Sequence, residues 1–221
     1  ESIPLTDISF TREHYWIPKM TAKAGDRDVT VTYLSPVGHR GFGIRMTVKS
    51  EKSEEIRMGL RGAWDTTYHC INQDKKVDGK VFVYPSGWNG SIIFDMRAGL
   101  PIFSFAPVTD KNAESKFELY NDGQATKYSV MHTEALEGGT ESEFTIYWGF
   151  GYEEVSAATS AVEMDRMGWD FLYDKMAKYL DDRIAEMPTP KLKEIYNTNL
   201  FFYIFFSTGL SIDTEELCCV T

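Results

Sequence analysis

The sequence GFGIRMTV at residues 41–48 alternates between large apolar side chains and small or polar ones. Its large apolar members are Phe42, Ile44, Met46 and Val48, which would share one side of an extended strand. The same period of two recurs at residues 56–60 and 144–150. Alternation of this kind is typical of a β-strand that turns one face toward a core.

Further runs of strand length fill the first 155 residues. They lie at residues 29–34, 81–84, 92–96 and 102–106. Turn-forming Gly, Asn and Asp separate the runs at residues 78–79, 86–90, 121–123 and 138–139. About ten short strands with no helical period among them predict an antiparallel β-sandwich or barrel over residues 1–155.

The period changes after Val155. Apolar residues then recur every three or four positions, as on one face of a helix, at Trp169, Leu172, Tyr173, Met176, Leu180, Ile184 and Met187. Pro188 ends this helix, and Thr189 and Pro190 suit the N-cap and first turn of the next one. We expect the second helix to run for about 19 residues until Gly209 closes it. Residues 213–216 have capping-box spacing, which predicts that a third helix starts there.

The second helix contains the sequence LFFYIFF at residues 200–206. Seven consecutive apolar residues cover every face of a helix, whereas a surface helix needs only one apolar stripe. We therefore interpret residues 156–221 as helices that expect further protein around them, so that the chain is the front part of something larger. In the isolated chain, residues 190–208 would either fold back onto the rest of the molecule or pair with a second copy.

The net charge of −10 argues against a nucleic-acid partner, because phosphate binding depends on clustered Lys and Arg. No membrane contact is expected, since the run at 200–206 is far shorter than the ~20 residues of a membrane-spanning helix. Cys70, Cys218 and Cys219 do not make a disulfide framework. The compartment stays open, with periplasmic or extracellular export favoured if a signal peptide has been removed.

Adjacent carboxylates occur at residues 54–55, 153–154, 181–182 and 215–216. Acid–base catalysis needs carboxyl groups that face each other across a substrate, so we interpret these pairs as solvated surface. The four histidines lie far apart, at His14, His39, His69 and His132. No metal site and no other cofactor is expected from this spacing.

Trp88 lies in the turn sequence SGWNG at residues 86–90, where burial is least expected. An exposed indole offers a flat apolar face to a sugar ring, and Asn89 offers an amide to its hydroxyl groups. Trp88 and Asn89 are therefore candidate carbohydrate-binding residues. The alternative is that Trp88 folds back over the sandwich edge or against a neighbouring domain.

Three motifs near the end of the chain, YNTNLFF at 196–202, FFSTG at 205–209 and DTEE at 213–216, carry a family resemblance. They resemble the entry to the catalytic barrel of bacterial (α/α)6, or six-hairpin, glycoside hydrolases, the group of glucoamylases, trehalases and debranching-like enzymes. PVGHRGFGIR at 36–45 resembles their N-terminal sandwich. The resemblance implies an antiparallel β supersandwich, similar to the galactose mutarotase fold, followed by two or three linker helices. It further implies that residues 156–221 are a helical linker and the start of a truncated helical-barrel domain. It also implies that the catalytic carboxylates lie beyond this chain, so no catalytic residue is assigned.

The first functional hypothesis is a non-catalytic N-terminal module that buttresses the helical catalytic domain of the same parent chain. In it, residues 86–90 would reach the substrate cleft and contact an oligo- or polysaccharide. The second is a free-standing carbohydrate-binding β-sandwich whose helical tail forms a dimer. A mutarotase-like enzyme is the third, although no His and Glu constellation for ring opening is recognisable.

Overall fold

The computed structural model describes residues 3–65, 67–69, 76–78, 82–95, 102–107, 114–121, 125–206, 208–210 and 217–219. Its first strands are β1 Thr6–Glu13, β2 Ile17–Ala24, β3 Arg27–Leu34, β4 Gly41–Ser50, β5 Glu54–Asp65, β6 Thr67–His69 and β7 Lys76–Asp78. These are followed by β8 Phe82–Pro85, β9 Ile92–Asp95, β10 Ile102–Pro107, β11 Glu114–Asn121, β12 Ala125–Leu136 and β13 Thr140–Gly151. The helices are α1 Glu154–Met167, α2 Trp169–Asp181 and α3 Pro190–Phe206, with strands β14 Thr208–Leu210 and β15 Leu217–Cys219 after them.

The strands form antiparallel sheets of unequal size. The large sheet has eight strands in the order β1-β2-β3-β4-β13-β10-β9-β8, and the small sheet has three in the order β11-β12-β5. The hairpins β6–β7 and β14–β15 make separate two-stranded sheets. Antiparallel sheets followed by helices confirm the fold class predicted from the sequence.

One face of the large sheet packs against the small sheet. The buried side chains between them are Val31, Ile44, Met46, Val48, Ile56, Met58, Phe94, Val130, Leu136, Phe144, Ile146 and Trp148. Val31, Met46 and Phe144 lie side by side across β3, β4 and β13, because these strands pair in register. The alternations at residues 41–48 and 144–150 therefore mark core-facing strands, as predicted.

The opposite face of the large sheet is covered by the helices. Its core contains Ile17, Leu34, Tyr147, Met164, Trp169, Leu172, Met176, Leu180 and Phe201. Helix α1 lies directly on β13, where a Cβ atom built at Gly149 would be 2.2 Å from the carbonyl oxygen of Ala157. Ala157 and Ala161 are fully buried at this contact. Glycine in the strand and alanine in the helix thus allow the two backbones to approach closely.

Helix α1 is not anticipated by the sequence pattern. Its buried residues are Ala157, Ala158, Ala161 and Met164. A stripe made mostly of alanine gives a weak hydrophobic period, so the clear helical spacing of large apolar residues begins only at Trp169.

Helix α2 ends at Asp181, so the prediction that it continues to Met187 is wrong. Asn197 of α3 explains the early end: its Oδ1 accepts a hydrogen bond from the Ala185 amide (2.8 Å), and its Nδ2 donates to the Ala185 carbonyl oxygen (3.0 Å). These bonds hold the segment after α2 against α3. Ile184 in this segment still packs on the helix-side core, which preserves the apolar spacing in the sequence.

Helix α3 begins at Pro190 with Thr189 as its cap, as predicted, since the Leu192 amide donates to Thr189 Oγ1 at 3.2 Å. It ends at Phe206, so the expectation that Gly209 closes it is wrong; Gly209 lies in strand β14. Residues 213–216, where a further helix is predicted to start, lie outside the described residues. Strand β15, which follows them, pairs with β14.

The tip of the β1–β2 hairpin is fastened to α2. Tyr173 Oη donates a hydrogen bond to Glu13 Oε2 (2.7 Å), and His14 Nδ1 lies 2.7 Å from Asp181 Oδ1. Burial raises the pKa of Glu13, but the hydrogen bonds from Lys19 and Tyr173 outweigh it and leave the pKa below its ordinary value. The hairpin, the sheet and the helices are therefore joined by polar contacts as well as by apolar packing.

Candidate functional site

The loop between β8 and β9 is a compact turn with Trp88 at its tip. The Ser86 amide donates to the Ser91 carbonyl oxygen (2.7 Å), and the Gly90 amide donates to the Ser86 carbonyl oxygen (3.0 Å). Inside the turn, the Trp88 amide donates to Ser86 Oγ (3.1 Å) and the Ser91 amide to Asn89 Oδ1 (3.1 Å). These bonds fix the backbone that presents Trp88 and Asn89.

Glu154, at the start of α1, fastens this loop to the rest of the molecule. Its Oε1 accepts hydrogen bonds from Ser86 Oγ (2.6 Å) and from the Gly87 amide (3.0 Å). The interpretation of Glu154 as a merely solvated residue is therefore wrong, although its neighbour Glu153 is exposed. A tertiary partner 67 or 68 positions away leaves no signal in the local sequence.

Trp88 is 70% exposed, in line with its turn sequence, whereas Trp148 in the sandwich core is 4% exposed. Asn89 is exposed too, but its Oδ1 is engaged by Ser91, so its amide nitrogen is the group that faces solvent. The structure thus places the two candidate carbohydrate-binding residues together on one anchored turn. Sugar contact by Trp88 and Asn89 stays a prediction.

A second exposed surface runs along α3. Leu192, Ile195, Asn199, Phe202 and Phe206 are all exposed and follow one another at intervals of three, four, three and four residues. The rings of Phe202 and Phe206 stack with centroids 4.9 Å apart. This spacing is that of a helix seam that packs against another helix. We call these five residues the α3 stripe.

The opposite face of α3 folds back onto the molecule, as one of the two expected outcomes. Phe201 is fully buried, and the Phe205 ring stacks on Trp16 with centroids 5.1 Å apart. Of residues 200–206, Phe202, Tyr203 and Phe206 remain exposed.

None of the helices in the described ranges is long and apolar enough to cross a membrane.

Glu54 is another carboxylate that the solvated-surface interpretation misses. Arg27 Nε donates to its Oε1 at 2.8 Å, and Ser50 Oγ donates to the same oxygen at 2.6 Å. The hydrogen bond from Arg27, followed by that from Ser50, lowers the pKa of Glu54 to about 2. This arrangement joins β3 to β5, and the nearby carboxylate of Asp26 is paired with Lys52, so both carboxylates are held in ion pairs.

The histidines do not converge on one site. His14 contacts Asp181, His39 Nδ1 lies 3.9 Å from Glu163, and the side chain of His69 lies outside the described residues. His132 is buried and stacks on a core phenylalanine, with its Nδ1 unpaired. Within the part of the chain that the structure describes, no three His, Cys, Asp or Glu residues form a group that could hold a metal ion.

Comparison with known proteins gives matches among solved structures only. No protein-family profile matches the chain, and no curated protein does. A bacterial glucoamylase complexed with acarbose aligns with a TM-score of 0.56 at 10% identity, over 90% of this chain and 32% of its own. A protein described as a kojibiose phosphorylase, from the human microbiome, aligns with a TM-score of 0.44 at 10% identity, over 93% and 26%.

The fold is therefore one that occurs within a glycoside hydrolase chain. This agrees, at the level of the fold, with the resemblance to six-hairpin glycoside hydrolases in the sequence. The chain spans about a third of the glucoamylase and about a quarter of the second protein. At 10% identity the likeness shows the fold alone.

Proposed function

We propose that this chain is a non-catalytic N-terminal module of a glycoside hydrolase and that it buttresses a helical catalytic domain. Residues 1–155 would form the sandwich, which corresponds to the supersandwich of six-hairpin enzymes, and residues 156–221 the linker and the first part of the helical domain. The α3 stripe is the observation that carries this proposal. It is an apolar helix seam that is exposed in the part of the chain that the structure describes, apart from the contact of Phe206 with Trp16.

The composition of the stripe suits a helical protein partner. From Ile195 to Phe206 the sequence of α3 contains no charged residue. Phe202 and Phe206 are 56% and 66% exposed, so covering what remains in water would add about 2–4 kcal/mol, taking about 1.5–3 kcal/mol for complete burial of each large apolar side chain. That gain is a sizeable part of the stability of a typical domain, about 5–15 kcal/mol, so a covering helix would be stabilising.

A cavity lies next to Trp16, on which α3 packs. The Trp16 ring has its centroid 5.1 Å from that of Phe205 and 6.0 Å from that of Phe206, and it lines a cavity of about 180 Å³ together with Tyr33, Phe42 and Met176. A cavity of this size accommodates one large side chain. It supports the same proposal, because a partner laid on the stripe would find an anchoring pocket beside it.

On this proposal the parent enzyme binds the saccharide in its substrate cleft, and the loop at residues 86–90 would contribute to the rim of that cleft. The structurally similar glucoamylase is complexed with acarbose, which supports an oligo- or polysaccharide as ligand. Catalytic carboxylates would lie in the helical domain.

The test is to express the polypeptide encoded after Thr221 separately and to titrate it against this chain by calorimetry. We expect the two polypeptides to associate. Phe202→Glu and Phe206→Glu should each abolish this association, whereas Phe10→Glu, a substitution at an exposed residue of β1, should leave it unchanged. The purified chain alone should not hydrolyse aryl glycosides, maltose or trehalose. A reading frame that ends at Thr221, or hydrolysis by the chain alone, would contradict the proposal.

The alternative is a free-standing carbohydrate-binding sandwich that dimerises through residues 190–208. The same stripe favours it, since a seam with a central Asn199 resembles the polar position that fixes pairing in coiled coils. The titration described above distinguishes the two functions. A dimer of this chain that persists in the presence of the downstream polypeptide would favour the alternative.

A further inference from the structure

Two exposed aromatic side chains flank the hydrogen bonds that join the 86–91 loop to α1. Trp88 follows Ser86 by two residues, and Tyr152 precedes Glu154 by two residues. Two residues of chain span at most about 7 Å, so each aromatic residue starts close to the Ser86–Glu154 bond. Trp88 is 70% exposed and Tyr152 is 78% exposed.

The backbone that presents these rings is held in place on both sides. Ser86 Oγ binds Glu154 at 2.6 Å and receives the Trp88 amide at 3.1 Å, which links the loop tip to the helix start. Behind Tyr152, a Cβ atom at Gly151 would lie 2.6 Å from the Ala157 amide nitrogen, so the strand end sits tightly against α1. Rigid presentation lowers the entropy that binding would cost.

A polar, exposed residue follows each ring in the chain, and exposed Val155 comes three residues after Tyr152. Asn89 and Glu153 are exposed beside them, and the amide nitrogen of Asn89 has no partner within the described structure. Isolated aromatic faces among hydrogen-bonding groups suit a ligand that has both apolar faces and hydroxyl edges. The α3 stripe, by contrast, is continuous and uncharged, as a protein-covered helix is.

We propose that Trp88 and Tyr152 form a two-ring platform for a gluco-oligosaccharide, with Trp88 and Tyr152 stacking on different pyranose rings. Asn89 donates to a hydroxyl group and Glu153 accepts from one. The ligand class rests on the proposed function, whereas the location rests on the loop geometry alone. Two linked stacking positions act together, because binding of the first sugar ring raises the local concentration of the second.

The experiment is calorimetric titration of the full chain with maltoheptaose and, separately, with cellohexaose. We expect one of them to bind with a dissociation constant below about 10 mM. Trp88→Ala and Tyr152→Ala should each weaken that binding by about tenfold, and Tyr152→Phe should retain it because the ring remains. Phe10→Ala removes an equally exposed ring (71% exposed) on a distant strand and serves as the matched control.

Absence of binding to both sugars would overturn the platform, and so would wild-type affinity in Tyr152→Ala or an equal loss in Phe10→Ala. Circular dichroism of each variant shows that the fold is intact. A failure of the platform can be distinguished from a failure of the proposed function, because Trp88→Ala changes no residue of the α3 stripe. If Trp88→Ala instead abolishes association with the downstream polypeptide, the rings face protein and the platform is rejected.

Discussion

The α3 stripe and the 86–91 loop both expose aromatic rings, but in opposite settings. The stripe lies on a helix of 17 residues whose other face is anchored by apolar packing around Phe201. The loop is a short turn anchored by a carboxylate, with Trp88 alone at its tip. Exposure alone therefore does not define a partner. The neighbouring residues decide whether the surface suits protein or sugar.

Each surface depends on a different buried support. Asn197 is fully buried in α3 and fixes the connection from α2, so it sets the position of the stripe. Gly149 allows α1 to lie on β13, so it sets the position of Glu154 and through it the loop. Substitutions at these supports test whether the two surfaces are positioned independently.

The largest effect is expected at Gly149. In Gly149→Ala, the new methyl group would meet the Ala157 carbonyl oxygen and the Ala161 amide, so α1 must move away from the sheet. We expect a loss of about 3 kcal/mol in unfolding free energy, measured by urea denaturation. Gly87→Ala is the control, because a Cβ there meets nothing within 4 Å. Equal stability of both variants would contradict the close packing of α1.

Asn197→Ala is expected to have the next largest effect. It removes both hydrogen bonds to Ala185 and leaves backbone groups of a partly buried segment unpaired, which costs about 2 kcal/mol. The matched control is Asn199→Ala on the same helix, an exposed position that should change stability by less than about 0.5 kcal/mol. Hydrogen exchange of α3 amides should accelerate in Asn197→Ala only. Unchanged exchange would show that α3 is positioned by apolar packing alone.

The two faces of α3 should respond differently to charge. Phe205→Glu places a carboxylate against Trp16 and should lower stability by about 1.5 kcal/mol. Phe202→Glu changes an exposed ring (56% exposed) and should leave stability within about 0.5 kcal/mol while reducing self-association in light scattering. Should both variants unfold equally, the stripe would belong to the core of the chain and would not be free for a partner.

The sequence predicts the sheets better than the helices, for a physical reason. Alternation at residues 41–48 reports burial directly, because neighbouring side chains of a strand point to opposite faces. Helix α1 packs through Ala157 and Ala161 against strand glycines, and small residues hardly change the hydrophobic pattern. The end of α2 depends on Asn197, a residue beyond the helix itself.

The candidate site, too, is only partly predictable from the sequence. The exposure of Trp88 follows from its turn sequence, since Ser, Asn and Gly close a tight loop around it. The hydrogen bonds of Glu154 cannot be predicted from the local sequence, because the partners that bind it lie on a distant hairpin. Tyr152 is found only after that contact is known. Features set by neighbouring residues can thus be predicted from the sequence, whereas the contact between the 86–91 loop and the start of α1 cannot.

The smallest effect concerns Trp88 itself, whose replacement should leave the fold unchanged. Trp88→Phe should alter unfolding free energy by less than about 0.5 kcal/mol, because the side chain makes little buried contact. It should nevertheless remove a readily quenched part of the tryptophan fluorescence, measured with acrylamide. Trp148→Phe, a substitution in the sandwich core, should leave that quenchable fraction in place and lower stability instead. If Trp148 proves the more readily quenched of the two, Trp88 is covered in solution, and neither a sugar nor a neighbouring domain can stack on it without first displacing that cover.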